Sequence, residues 1–193
     1  MRAPSAARWW VCGLVCALAV ACAFAHANDT DAPPTVAAAR LKDAIEARLL
    51  LMDDVARYKW NHDLPVADAP REAALLDRTT AQAVALGIPE DYARRVVAAQ
   101  IAAARVRQQE LIDRWRQASR PPFDDVPDLA TVQRPTIDRA TADLLTRLRA
   151  AMCGLDDSAR VALASPLPQL AESTRAWTTA VEALWPLPDE CRD

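Results

Sequence analysis

The fold is decided by the stretch Thr35-Val-Ala-Ala-Ala-Arg-Leu-Lys-Asp-Ala-Ile-Glu-Ala-Arg-Leu-Leu-Leu-Met-Asp-Asp-Val-Ala-Arg-Tyr-Lys-Trp-Asn61. It contains no Gly and no Pro, and its apolar residues recur at helical spacing, which predicts one long helix. Leu41, Ile45, Met52 and Val55 follow a 4/3 spacing that marks a buried seam. The same spacing places Arg48 between Ile45 and Met52, and Lys59 four residues after Val55. Eleven residues make three turns plus about 20°, so both cations project from the apolar face. Burying such groups unpaired costs several kcal/mol each, so each needs a partner. In a chain rich in Ala and Arg, internal salt bridging or snorkelling is the plain alternative for Arg48. Lys59 is harder to dismiss, being one of only two lysines, with Lys42 the other.

The pattern repeats further on. Pro70 to Leu86 reads as a second helix capped by Gly87, and Pro89 opens a third that runs to about Gln117. On that third helix Val97, Ile101, Ala104, Leu111 and Trp115 share a stripe, and the slot between Ala104 and Leu111 is Gln108. Arg120 to Arg134 is a Pro- and Asp-rich linker. Helices resume at about Pro135–Cys153, Asp156–Ala164 and Leu167–Leu184. With no period-2 strand and no internal repeat, the fold class is all-α, a helical bundle. Asp53-Asp54, Asp124-Asp125 and Asp156-Asp157 read as solvated faces or linkers, not as metal sites.

Composition narrows the chemistry. The 193 residues include 14 Pro but only three Gly, at Gly13, Gly87 and Gly154. These cannot form a G-x-G-x-x-G or P-loop signature. His26 and His62 are the only histidines, too few for a histidine metal centre or a Ser-His couple. No metal and no cofactor are expected.

Residues 1–27 read as a cleavable export signal. Arg2 and Arg8 give the basic start, Val11 to Phe24 the apolar middle, and Ala25-His26-Ala27 the cleavage site. A membrane anchor ranks below this, since about 15 apolar residues span a bilayer poorly. So does a lipoprotein box at Ala19-Val20-Ala21-Cys22, which lacks its usual Leu. After cleavage following Ala27, 21 basic groups face 26 acidic ones, a net charge of −5. No basic tract is present, so nucleic acid and membrane are not expected partners. Cys153 and Cys191 survive cleavage and read as one disulfide of an exported chain, worth about 4 kcal/mol on the chain-entropy model.

A helical cavity lined by cations, an amide and a carboxylate suits a small dianion. The order Arg48, Lys59, Asp68, Arg71-Glu72 and Gln108 resembles the active-site pattern of the all-helical (AroQ-type) chorismate mutases. The run Arg48-Leu-Leu-Leu-Met-Asp-Asp-Val-Ala-Arg-Tyr-Lys59-Trp60 is its most characteristic part. The signal, the two cysteines, the C-terminal helices and Arg134-Pro-Thr-Ile-Asp138 resemble the secreted gamma subclass. The core likeness covers about residues 35–117.

This resemblance implies pericyclic rearrangement of chorismate to prephenate in one active site, without a cofactor. Arg48 would bind a substrate carboxylate, Lys59 and Gln108 the ether oxygen, and Glu72 the ring hydroxyl, with Asp68 and Arg71 beside it. Arg134 of the extension would supply the arginine that short-chain members take from a partner subunit. It further implies a homodimer, a core over 28–118 and an extension over 119–193. Two positions depart from the pattern. Ala104 stands where the family has a small hydroxyl residue, and some secreted members carry Glu where this chain has Gln108. Two other readings compete: an isochorismate-pyruvate lyase on the same fold, and a non-catalytic periplasmic helical interaction protein.

Overall fold

The computed structural model describes residues 33–191, and the export signal expected at 1–27 lies outside them. The regular elements among the described residues are all helical, with no strand among them. Helices α1 (Pro34–Leu50) and α2 (Met52–Asn61) form the expected long rod with one interruption at Leu51. Leu51 stays right-handed, but its ψ of −19° loosens the ladder, and the Val55 N–H to Leu51 O distance reaches 3.5 Å. No Gly or Pro causes this. The apolar run Leu49–Met52 gives the local sequence no breaker, so tertiary packing sets the break.

Helix α3 (Ala69–Ala85) begins at Asp68, whose carboxylate accepts the Arg71 N–H at 3.2 Å. It ends at Gly87, whose φ of 80° is the left-handed conformation that a Schellman cap requires. There the Ile88 N–H reaches Ala83 O and the Gly87 N–H reaches Val84 O. Helix α4 (Glu90–Gln117) follows directly and packs against α2 and α3.

The segment expected as a plain linker is an ordered strap. The Asn61 side chain holds Phe123 from both sides, accepting its N–H and donating to its carbonyl at 2.8 Å each. Asp128 caps a π-helical turn at Leu129–Gln133. Helix α5 (Arg134–Ala151) then lies along α1. Helix α6 (Asp157–Leu163) starts at Asp156, a capping residue and not merely a solvated one. Hydrogen bonds from Ser158 and from the Ala159 N–H hold its carboxyl below the usual range. The last expected helix is split, into a 3-10 segment at Pro168–Ser173 and α7 (Thr174–Glu182). Ser173, at φ −121° and ψ 43°, leaves the helical region between them.

One continuous core joins the early and late helices. Leu41, Ile45 and Leu49 of α1 meet Leu144, Leu145 and Leu148 of α5, while Val96 of α4 belongs to the same cluster as Trp177 and Leu184. Trp177 is fully buried and donates its indole N–H to Leu163 O at 2.8 Å. Cys153 and Cys191 form a disulfide that ties the end of α5 to the C-terminal turn.

Candidate active site

The seam cations expected from sequence do face one space. A pocket of about 500 Å³ lies among α1, α2, α3, α4 and α5, closed on one side by the Leu64–Asp68 loop. Arg48, Lys59, Asp68, Arg71, Glu72, Ala104, Gln108 and Arg134 all line it. Met52, Val55, Leu75, Ile101 and Ile137 complete its apolar wall. The size and the mixed lining fit a small organic anion.

Arg48 is 3% exposed and has no carboxylate partner among the described residues. Its Nε donates to Thr141 Oγ1 at 3.2 Å and its Nη1 to Gln100 O at 2.9 Å. Burial pulls its pKa down to about 10, which leaves the guanidinium charged at neutral pH. Lys59 donates to Val66 O at 2.6 Å. Its pKa is lowered, first by desolvation, against the opposing pull of Asp68 and Glu72. An ammonium has three protons, so two are left for a ligand. Internal salt bridging therefore does not account for these two cations.

Gln108 is 6% exposed, and its Nε2 donates to Ala104 O at 3.1 Å, with Met52 Sδ at 3.5 Å. The reverse amide orientation would set two oxygens against each other. The Gln108 Oε1 is buried without a partner, as is the Arg134 Nε. Arg71 is lowered by partial burial and next by the charge of Arg134, so two like charges confront each other across the pocket.

The two acids are tied to local structure. Glu72 accepts the Asp68 N–H at 3.3 Å, a variant of the reciprocal helix cap, and accepts Arg105 Nη1 at 3.2 Å. Arg105 also lines the pocket, and sequence reading missed it. Its one signal was its place next to Ala104 on the third helix. With Arg105 included, five cations and two carboxylates line the pocket, an excess of three positive charges.

Asp53 departs from the solvated role expected of it. It accepts Arg107 Nε and Nη2 at 2.9 Å each, a two-pronged pair with a buried arginine that also donates to Ser173. This pair braces α2 against α4. The Asp54 side chain, by contrast, pairs with Arg57 at the surface, while its backbone carbonyl accepts Gln133 Nε2 at 3.2 Å.

Fold and site together define an all-α protein with a preformed cationic pocket. The family model of chorismate mutase type II matches residues 39–110. A crystal structure of chorismate mutase from Burkholderia thailandensis is 33% identical, with a TM-score of 0.67, over 77% of this chain and 99% of that one. The chorismate mutase structure from Burkholderia phymatum is 26% identical, with a TM-score of 0.69, over 78% of this chain and 97% of that one. A secreted chorismate mutase of Mycobacterium tuberculosis is 33% identical over 112 residues, 57% of this chain and 55% of the relative. The chain spans about half the length of the curated relatives it matches. It belongs to the chorismate mutase family.

Proposed function

We propose that this chain is an exported enzyme that rearranges chorismate to prephenate. The observation that carries this reading is the meeting of Arg48, Lys59, Gln108, Glu72 and Arg134 around one pocket with excess positive charge. The reaction is unimolecular: the ether C–O bond breaks while a C–C bond forms, so no nucleophile and no proton relay is required. The protein's task is to hold the reactive conformer and to place donors where negative charge grows.

In this reading Arg48 receives one carboxylate, and Arg134 with Arg71 the other. Lys59 Nζ and Gln108 Nε2 donate to the ether oxygen as the bond to it lengthens. Glu72 accepts the ring hydroxyl through the lone pairs that Asp68 N and Arg105 leave free. Ala104 supplies no hydroxyl, so that carboxylate depends on the guanidinium groups. Residues 28–118 carry most of the machinery, and 119–193 contribute Arg134.

Export is supported by the secreted relatives; cleavage after Ala27 and a periplasmic or secreted destination belong to the same proposal. Arg134 of this chain's own α5 lines the pocket, so a homodimer of this chain would hold a site in each protomer without taking that arginine from its partner. The test is a prephenate assay on the chain beginning at Asn28. Turnover of chorismate supports the reading, while salicylate and pyruvate from isochorismate, with chorismate left intact, would replace it with the lyase.

A further inference from the structure

Thr141 lies on α5, seven residues beyond Arg134, in the stripe Ile137, Thr141, Leu144, Leu148 that packs toward α1. A hydroxyl there costs burial free energy unless both its roles are filled. Both are. Thr141 Oγ1 donates to Ile137 O at 2.8 Å, which spends its only proton and turns its lone pairs outward. One of them accepts Arg48 Nε at 3.2 Å.

The opposite edge of the guanidinium is fixed as well. Arg48 Nη1 donates to Gln100 O, and the Gln100 side chain is anchored to Ala180 O of α7 at 2.9 Å. Two acceptors from two helices thus define the plane of the guanidinium, and Nη2 is the nitrogen left for a ligand. The void beside Arg48, Gln100 and Thr141 measures about 10 Å³, at the lower limit of what one water occupies. The guanidinium and the Thr141 hydroxyl are thus closely packed, with little free volume between them.

We propose that Thr141 is a positioning residue that aims Arg48 at the substrate carboxylate. The inference rests on the chorismate mutase reading and extends it to a residue of the C-terminal helices that itself contacts no substrate. The carboxylate is present in both ground and transition states, so a misaimed Arg48 weakens both equally and raises KM more than it lowers kcat.

Three variants test this in the full mature chain. Thr141→Val keeps the shape and removes the acceptor, Thr141→Ser keeps the acceptor, and Thr141→Ala replaces Val should Val fail to fold. The readouts are KM and kcat for chorismate and the Arg48 Nε–H resonance, assigned by its loss in Arg48→Lys. Expected for Val is an Nε–H shift and a KM raised about tenfold, with kcat within about threefold. Ser should leave the resonance in place and bring KM back to within about twofold of the parent. An unmoved resonance in Val, a normal KM despite a moved one, or equal losses in Val and Ser would each overturn the proposal. If the parent converts no chorismate, the functional reading is what has failed, and the Nε–H shift still decides whether Thr141 fixes Arg48.

Discussion

Gln108→Glu separates electrostatic donation from mere packing at the ether oxygen. The two side chains are nearly isosteric, and the Gln108 side chain is buried at 6% exposure, so the pocket keeps its shape. Gln108 Nε2 now lies 3.1 Å from Ala104 O. An ionised Glu would set an anion against that carbonyl, in a desolvated site, next to an incoming dianion. It would also have no proton to donate. Only the protonated acid can replace the amide, so activity is present below the carboxyl's pKa and lost as pH rises through it. Burial and the Ala104 carbonyl push that pKa up, and Lys59 pulls it back. Losing one fixed donor costs about 3 kcal/mol, roughly two decades in turnover. The expected result at pH 7.5 is a kcat/KM about a hundredfold below the parent, recovering as pH falls toward 5. The parent should be flat over that interval, since an amide does not titrate. Steady-state chorismate consumption across pH 4.5 to 8 measures both profiles. A folded variant with parental activity at pH 7.5, or with a loss that acid does not relieve, refutes the donor role of Gln108.

Three further outcomes follow from the same geometry. Lys59→Ala should lower kcat/KM by at least about two decades while the helical circular dichroism persists, and near-parental turnover would remove Lys59 from the mechanism. On the alkaline side, desolvation lowers the Lys59 pKa, so its charged form is lost as pH rises through a value below the ordinary 10.5. The parent's kcat/KM should therefore begin to fall below that point, and a profile flat to pH 10.5 would contradict it. Asp53→Ala strips the buried Arg107 of its carboxylate and should cost about 3 kcal/mol, or roughly 6–12 °C in Tm. Asp54→Ala breaks only the exposed pair with Arg57 and should stay within about 0.5 kcal/mol, so thermal unfolding of the two variants side by side checks the contrast.

What was legible in the sequence was local. Gly87 and Pro89 fix the joint between α3 and α4 because a left-handed cap and a fixed φ act on their own neighbours. The inward aim of Arg48, Lys59 and Gln108 follows from intrahelical spacing, which states which face turns inward. It does not state what covers that face. Thr141, Gln100 and Arg105 were invisible for that reason: each meets its partner across 33 to 93 residues of chain. Arg134 was placed by resemblance, since no periodicity points a residue at a linker's end into a pocket on other helices. The break at Leu51 and the split before α7 arise from packing, which a single segment's propensity does not encode.

The charge distribution explains why this pocket needs little else to attract its ligand. Residues 28–193 carry a net charge of −5, yet five of their 21 cations line one cavity with only two acids. Those two acids are partly spent on structure, Asp68 in capping α3 and Glu72 in bonding the cap's N–H and Arg105. The positive field is thus concentrated at the pocket while the rest of the surface repels anions, which directs a dianion to one place. Because Arg48, Lys59 and Gln108 sit on helices and already hold backbone or hydroxyl partners, most of the reorganisation that free side chains would undergo is completed on folding. A substrate entering such a site meets donors already in position, and that is the condition under which electrostatics alone can accelerate a rearrangement.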